Sequence, residues 1–216
     1  HYEILDKLTD HIINSTTYQV KYLIGDSGCG KTRIIDELYK RVLGRNVNMI
    51  LIKCTRNEGK VKKYLKRALT SEKVLLQNIK EQESLPFIIK NINTQFQRCV
   101  LIFDDIHNLN SLLDELKEAA LLELNKAITI ILVGRNDFSA GTSNYFSFLQ
   151  WCQEKQLIKG DVIQNLTEKD SKNLIRSIIN DVPDFVLNSI FSKSHGNPLF
   201  IIQFIEYLLE TNLAHI

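Results

Sequence analysis

An α/β domain with a parallel five-stranded sheet flanked by helices, followed by a small all-α domain, is the fold this sequence predicts. Three observations predict it. Apolar strand-like runs alternate with amphipathic helical patterns over residues 1–166. The runs are continuously apolar, not alternating, as expected for strands covered on both faces of a parallel sheet. Beyond residue 166 only helical patterns follow. The expected domains are therefore 1–166 and 167–216.

The strands are expected at residues 18–24, 48–54, 99–103 and 128–134, with a weaker one at 162–166. Helical spacing fills the gaps at 4–13, 31–42, 59–69, 71–79, 87–97, 112–124 and 145–156. In the second part, Thr167 followed by Glu168 and Asp170 is an N-cap with an acidic first turn, opening a helix to about residue 179. Pro183 starts a second helix, and Pro198 stands in the first turn of a third that reaches about residue 209.

Composition excludes several classes. At 216 residues and 44% hydrophobic content the chain can bury a proper core and is too apolar for disorder. A net charge of +2 makes no strong electrostatic demand for nucleic acid or an anionic membrane. No apolar run approaches the roughly 18–20 residues of a membrane span, so no membrane partner is expected. His1-Tyr2-Glu3 lacks a Met and an apolar leader, and reads as a cut inside a longer chain. Cys29, Cys54, Cys99 and Cys152 are far apart with no C-x-x-C pair, which fits a reducing cytoplasm better than a zinc site or a disulfide framework.

The most specific feature is Gly25-Asp26-Ser27-Gly28-Cys29-Gly30-Lys31-Thr32, a complete G-x-x-x-x-G-K-[ST] phosphate loop between an apolar strand and an amphipathic helix. Three of the chain's 9 glycines fall in these eight positions, where they let successive N–H groups turn inward as an anion nest at a helix N-terminus. Lys31 supplies positive charge to the β- and γ-phosphates, and Thr32 a hydroxyl for Mg²⁺. Arg33 extends the run of nucleotide-binding candidates. The expected ligand is ATP or ADP with Mg²⁺.

Strand 99–103 ends in Asp104-Asp105. It is expected beside the phosphate-loop strand, with Asp104 holding Mg²⁺ through water and Asp105 polarising the attacking water. Strand 128–134 is followed by Arg135, a cation placed to contact a terminal phosphate. Residues 60–69 carry five cations on one helical face, opposite Val61, Tyr64, Leu65, Ala68 and Leu69. A solvated face is the expected role, ahead of a nucleic-acid footprint. The aromatics of 144–151 are expected in the core.

Together these residues resemble the STAND class of P-loop ATPases (signal-transduction ATPases with numerous domains), relatives of the AAA+ family. Asp104-Asp105-Ile106-His107-Asn108-Leu109-Asn110-Ser111-Leu112 is similar to the D-D-h-H-x-x-D-x-x-S-L run of STAND modules. Val133-Gly134-Arg135 resembles their sensor-1 strand end, and Ser194-His195-Gly196-Asn197-Pro198-Leu199-Phe200-Ile201 their G-x-P element. The resemblance implies Pro198 against the adenine ring, Arg135 on the terminal phosphate, and catalytic roles for Asp105, Lys31 and Arg135. It implies a module closed by ADP and opened by ATP, which assembles into a homo-oligomer when activated and works with other domains of its parent chain. Two features depart from it: no G-R-E stretch precedes the first helix, and Asn108 follows His107 where the family carries an aromatic.

The leading functional expectation is thus an ATP/ADP switch of a cytoplasmic signalling or defence-type protein, with slow Mg²⁺-dependent hydrolysis. The alternative is an AAA+ ATPase acting on nucleic acid, such as an origin-binding or transposition-type loader. Arg176 is the only Arg after residue 166, which disfavours a second sensor arginine in the third helix. A scaffold that binds nucleotide without hydrolysing it is a third reading, against which Asp105 stands.

Overall fold

The structure, a computed structural model, describes residues 2–71, 83–136, 143–155, 161–179 and 181–211. In chain order the elements are α1 (Tyr2–Asn14), β1 (Gln19–Gly25), α2 (Lys31–Val42), β2 (Asn48–Lys53), α3 (Glu58–Ser71), α4 (Leu85–Gln95) and β3 (Arg98–Asp104). A 3₁₀ turn at Ile106–Asn108 follows, then α5 (Leu112–Ala120), β4 (Ala127–Arg135), α6 (Ser143–Glu154), β5 (Asp161–Ile163), α7 (Glu168–Arg176), α8 (Asp184–Ser194) and α9 (Pro198–Glu210). The predicted α/β class, with its five-stranded sheet and a helical C-terminal part, is what the chain adopts. The helix expected at 71–79 lies outside the described residues, apart from Ser71, which ends α3.

The sheet order is β2-β3-β4-β1-β5. This corrects the expectation that β3 lies beside the phosphate-loop strand, because β4 is inserted between β3 and β1. β2, β3 and β4 run parallel, with Asn48 opposite Cys99 and Arg98 opposite Ala127 at their starts. Their burial explains the uninterrupted apolar runs. Seen along β3, Cys99, Leu101 and Phe103 join one core cluster, while the equally buried Val100 and Ile102 alternate to the other face. Val61, Leu65 and Leu69 of α3, Ile88, Ile89 and Ile92 of α4, and Tyr145 and Phe148 of α6 cover the first face.

Four local expectations need revision. Tyr64 was grouped with the apolar face of α3 but is 46% exposed, and Phe146, expected in the core, is also 46% exposed. The helix expected over 112–124 stops at Ala120, where the Leu121 N–H turns back to the Glu118 and Ala119 carbonyls. The last strand ends at Ile163 instead of 166, and the Leu166 N–H goes to the Gly196 carbonyl at 2.8 Å.

Two acidic side chains tie the helices of this α/β part together. Glu115 pairs with Lys62 at 2.6 Å and accepts the Leu85 N–H at 2.6 Å, joining α5 to α3 and capping α4. Glu58, at the start of α3, accepts from the Ser111 hydroxyl and from the N–H groups of Asn110 and Leu112, closing the N-terminus of α5.

By the density of its contacts the chain divides into two compact units. One contains residues 1–24 and 33–162; the other contains 25–32 together with 163–216. The second has its own core of Ile175, Ile179, Leu187, Ile190, Ile201 and Ile205, drawn from α7, α8, α9 and the turn after α7. Thr167 caps α7 as its sequence predicts, accepting the Asp170 N–H at 3.2 Å.

Candidate functional site

Residues 25–32 belong to the second unit. Gly28 and Gly30 have φ of +79° and +102°, a region that costs glycine nothing and other residues strain. These conformations curl the loop between β1 and α2. Lys31 opens α2 and folds back, donating from Nζ to the Gly25 carbonyl at 2.8 Å and the Asp26 carbonyl at 2.6 Å. Its ammonium therefore sits inside the curl of the loop, held by two main-chain carbonyls and the Cys29 sulfur. The Cys29 N–H closes a turn onto the Asp26 carbonyl at 3.3 Å, and the Cys29 thiol is buried 3.8 Å from Lys31 Nζ. Burial pushes that thiol's pKa up and outweighs the neighbouring ammonium. Thr32 is exposed, and Arg33 turns along α2 to pair with Glu37 at 2.9 Å.

The same unit brings the Gly196-Asn197-Pro198 segment onto this loop. Asn197 is the N-cap of α9, its Oδ1 accepting from the Leu199 N–H at 3.1 Å. Its Nδ2 donates to the Ser27 carbonyl at 2.8 Å, and the Leu199 N–H also reaches the Gly28 carbonyl at 3.3 Å. Pro198 occupies the first helical position, where its missing N–H leaves nothing unpaired. Sequence reading gave Pro198 a role and passed over Asn197. The overlooked signal is an Asn immediately before a helix-opening Pro, an N-cap with an amide hydrogen to spare.

The carboxylates and Arg135 belong to the first unit. Asp104 is buried at the end of β3, and its Oδ1 accepts the Asp105 N–H at 2.9 Å. Asp105 is in the left-handed region, φ +60°, which turns the chain sharply from β3 into the 3₁₀ turn and leaves its side chain half-buried. The two acids therefore leave the strand in different directions, which the sequence pair alone does not disclose. Close by, burial and the charges of Asp104, Asp105 and Glu58 hold the Cys54 thiol protonated. Burial would raise the pKa of Glu58, but its hydrogen bonds from Ser111, Asn110 and Leu112 outweigh this and lower it.

Arg135 ends β4, half-buried, and Tyr145 of α6 sets its main chain. The Tyr145 hydroxyl donates to the Arg135 carbonyl at 2.8 Å and lies 3.1 Å from the Tyr22 hydroxyl, which must then be the donor between the two tyrosines. Burial pushes Tyr145 up to about 12, so the hydroxyl keeps its proton at any working pH. The ring of His107, itself buried, meets Tyr145 edge-on with centroids 6.3 Å apart. Tyr145 was expected in the core with the other aromatics of 144–151, and neither it nor Tyr22 was given a polar role, since a Tyr in an apolar pattern reads as core.

No group of three or more His, Cys, Asp and Glu side chains is gathered into a metal cage among the described residues, and no described helix is long and apolar enough to cross a membrane.

The AAA domain family matches residues 15–140, more than half of the chain. No curated protein matches the sequence significantly. Among solved structures, the chain is similar to AMPPCP-bound DnaA from Aquifex aeolicus, at TM-score 0.57 and 15% identity, covering 96% of this chain and 59% of that one. It is similar to a STAND protein with a tetratricopeptide repeat sensor from Pyrococcus horikoshii, at TM-score 0.55 and 15% identity, covering 91% and 28%. It is also similar to Drosophila ORC bound to GC-rich DNA and Cdc6, at TM-score 0.60 and 14% identity, covering 97% and 37%. The chain thus spans less than two thirds of each of these proteins, and identities this low speak for the fold alone. The phosphate loop, the strand order with β4 between β3 and β1, and the match over residues 15–140 lead to one assignment: the chain belongs to the AAA domain family, among the P-loop AAA+ ATPases.

Proposed function

We propose that this chain is the ATP/ADP-binding switch of a larger STAND-type signalling or defence protein, with slow Mg²⁺-dependent hydrolysis. The observation that carries the reading is the membership of one compact unit: the phosphate loop and the Gly196-Asn197-Pro198 run are bonded to each other, the Asn197 side-chain amide donating to the Ser27 main-chain carbonyl. A nucleotide on the loop is then sensed directly by the helical segment, which is what a switch requires. Under this reading the domains divide near residue 166, and the module assembles into homo-oligomers in the ATP state.

The residues fit the ligands. Lys31 already has its charge within the loop, held by two carbonyls it can exchange for phosphate oxygens and by a weak contact to the Cys29 sulfur. Mg²⁺ asks for one or two carboxylates and hydroxyls alongside phosphate and water; Thr32 and Asp104 supply that chemistry. When bound, the metal neutralises charge on the phosphates. Asp105 then acts as the base or orienting group for the attacking water, Arg135 reads the terminal phosphate, Asp26, Ser27, Cys29 and Arg33 line the loop, and Pro198 presents its ring to adenine.

A second reading, an AAA+ ATPase acting on nucleic acid, is favoured by one observation. Lys60, Lys63 and Arg67 all project to solvent from α3, which agrees with two of the similar structures being DNA complexes, replication initiator DnaA with single-stranded DNA and Drosophila ORC with GC-rich DNA. Titration of the fragment with single- and double-stranded oligonucleotides in ATP and in ADP separates the two. The switch reading expects no binding that a K60E/K63E/R67E variant removes. Hydrolysis is tested by Asp105→Asn, which keeps nucleotide binding and lowers single-turnover hydrolysis by about 10²-fold or more. Unchanged turnover removes Asp105 from the mechanism.

A further inference from the structure

Asn197 does more than cap a helix. Its Oδ1 serves α9, while Nδ2, the opposite end of the same amide, is spent on the Ser27 carbonyl in the middle of the phosphate loop. Asn197 is buried at 5% exposure while Ser27 is exposed, so the donor end of this bond is fixed inside the fold and the bond itself is part-buried. A second bond runs in parallel from the Leu199 N–H to the Gly28 carbonyl. The contact is as close as chemistry permits: a Cβ added to Gly28 would lie 2.6 Å from Leu199 Cβ and 2.7 Å from Asn197 Oδ1. Gly28 is thus required twice, by its positive φ and by the helix start seated against it.

Peptide geometry gives this contact a consequence. In a trans peptide the carbonyl and the N–H point in opposite directions, and no cis peptide occurs among the described residues. Holding the Ser27 carbonyl toward Asn197 therefore turns the Gly28 N–H away from the helical segment. The Gly28 carbonyl, held by Leu199, fixes the next peptide plane, whose Cys29 N–H closes the turn onto the Asp26 carbonyl. The Gly28 N–H is the kind of donor that a phosphate nest uses. We infer that Asn197 is a positioning residue for the phosphate loop: its amide orients the loop's N–H donors for phosphate and makes occupancy of the loop and the seating of α9 mutually dependent. By reciprocity, a bound phosphate that fixes the loop strengthens the α9 contact, and a displaced α9 weakens phosphate binding. This rests on the reading of residues 25–32 as the phosphate site, and it goes beyond it by giving the donor geometry an origin outside the loop.

The test uses two probes, Mg²⁺-tripolyphosphate and Mg²⁺-ADP, measured by calorimetry. Asn197→Asp keeps a capping oxygen for Leu199 but loses the donor to Ser27 and sets a carboxylate against that carbonyl. It should weaken both probes by the same factor, about tenfold, as expected for one part-buried hydrogen bond replaced by a repulsive contact. Asn197→Ser, which caps but cannot reach Ser27, should weaken both equally and less, and it carries the test if the Asp variant fails to fold. Loss for ADP with tripolyphosphate unaffected would overturn the proposal, because the effect would then act on the base. Wild-type affinity in both Asn197 variants, alongside loss of both probes in Lys31→Ala, would also overturn it while leaving the phosphate site standing. Undiminished tripolyphosphate binding in Lys31→Ala would instead remove the phosphate-site reading and this proposal with it.

Discussion

Gly134→Ala is the smallest change that should disturb the Arg135 end of β4, and its cost can be worked out atom by atom. A Cβ at this position would lie 2.2 Å from the Tyr145 hydroxyl oxygen and 3.1 Å from both Tyr145 Cζ and Ile106 Cγ1. Ordinary contact is above 3.4 Å, so the hydroxyl must retreat by more than an ångström. Tyr145 is 1% exposed and has no open side to move into without repacking. The retreat also breaks its bonds to the Arg135 carbonyl and the Tyr22 hydroxyl. Overpacking costs about 1–3 kcal/mol and each buried hydrogen bond about 1 kcal/mol. Relief of glycine's excess entropy in a strand returns roughly 0.5 kcal/mol. The net expectation is a loss of about 3 kcal/mol.

Tyr145→Phe loses the two hydrogen bonds, about 1–2 kcal/mol, but removes the atom that clashes. The double variant should therefore be destabilised by only about 2 kcal/mol, well short of the sum of the single effects. Urea unfolding of the four proteins measures this, provided the slope with denaturant stays constant across them. Additivity within about 0.5 kcal/mol would show that Gly134 and Tyr145 do not compete for the same space, and the packing argument would fail.

Two further outcomes are expected. Arg135→Ala should weaken ATP more than ADP, by roughly tenfold or more, since a charge-assisted bond to the terminal phosphate is worth about 1.5–3 kcal/mol; equal loss for both nucleotides, by calorimetry, refutes a terminal-phosphate role. Glu58 has its pKa lowered below the ordinary 4.5 by net hydrogen bonding from the start of α5, so its contribution is complete above that value and is lost as pH falls through the folded-state pKa. Glu58→Gln should lower Tm at pH 7 and narrow the gap to wild type below about pH 4; parallel Tm curves from pH 7 to 3 would remove Glu58 from the acid response.

What the sequence disclosed was local or periodic. The continuous apolar runs of β3 and β4 exist because both faces of each strand are covered, so burial wrote itself into consecutive residues. The phosphate loop was legible because one curl of backbone dictates glycine at fixed spacing, and Thr167 because a cap acts on the N–H three residues later. Pairings between distant segments were not legible. Nothing in residues 99–105 says that β4 will enter between β3 and β1, since that order is decided by how crossover connections wrap the sheet. Nor does Glu58 show in sequence that its partners are Asn110, Ser111 and Leu112, more than fifty residues away. Tyr64 and Phe146 were misplaced for a related reason: helical periodicity defines a face, but the width of the buried stripe is set by what packs against it.

Gly28 and Gly134 show how pairings between elements still leave a trace. Each stands beside a residue with a proposed role in phosphate recognition, and each has the space of its missing side chain taken by a group from another element: Asn197 and Leu199 at Gly28, Tyr145 at Gly134. In both cases the intruding segment holds a main-chain carbonyl, at Ser27 or at Arg135, by a side-chain hydrogen bond of 2.8 Å. A carbonyl held in this way fixes a peptide plane, and a fixed peptide plane aims whatever follows it: the Gly28 N–H in one case, the departure of the chain beyond Arg135 in the other. Glycine at these positions thus lets a second element come close enough to set the backbone. Substitutions there should act first on the direction of a donor or of the chain, and only through that on nucleotide affinity. A glycine adjoining a chemically committed residue, outside any tight turn, is accordingly a sequence-level pointer to a polar contact from another element, as Gly134 before Arg135 illustrates.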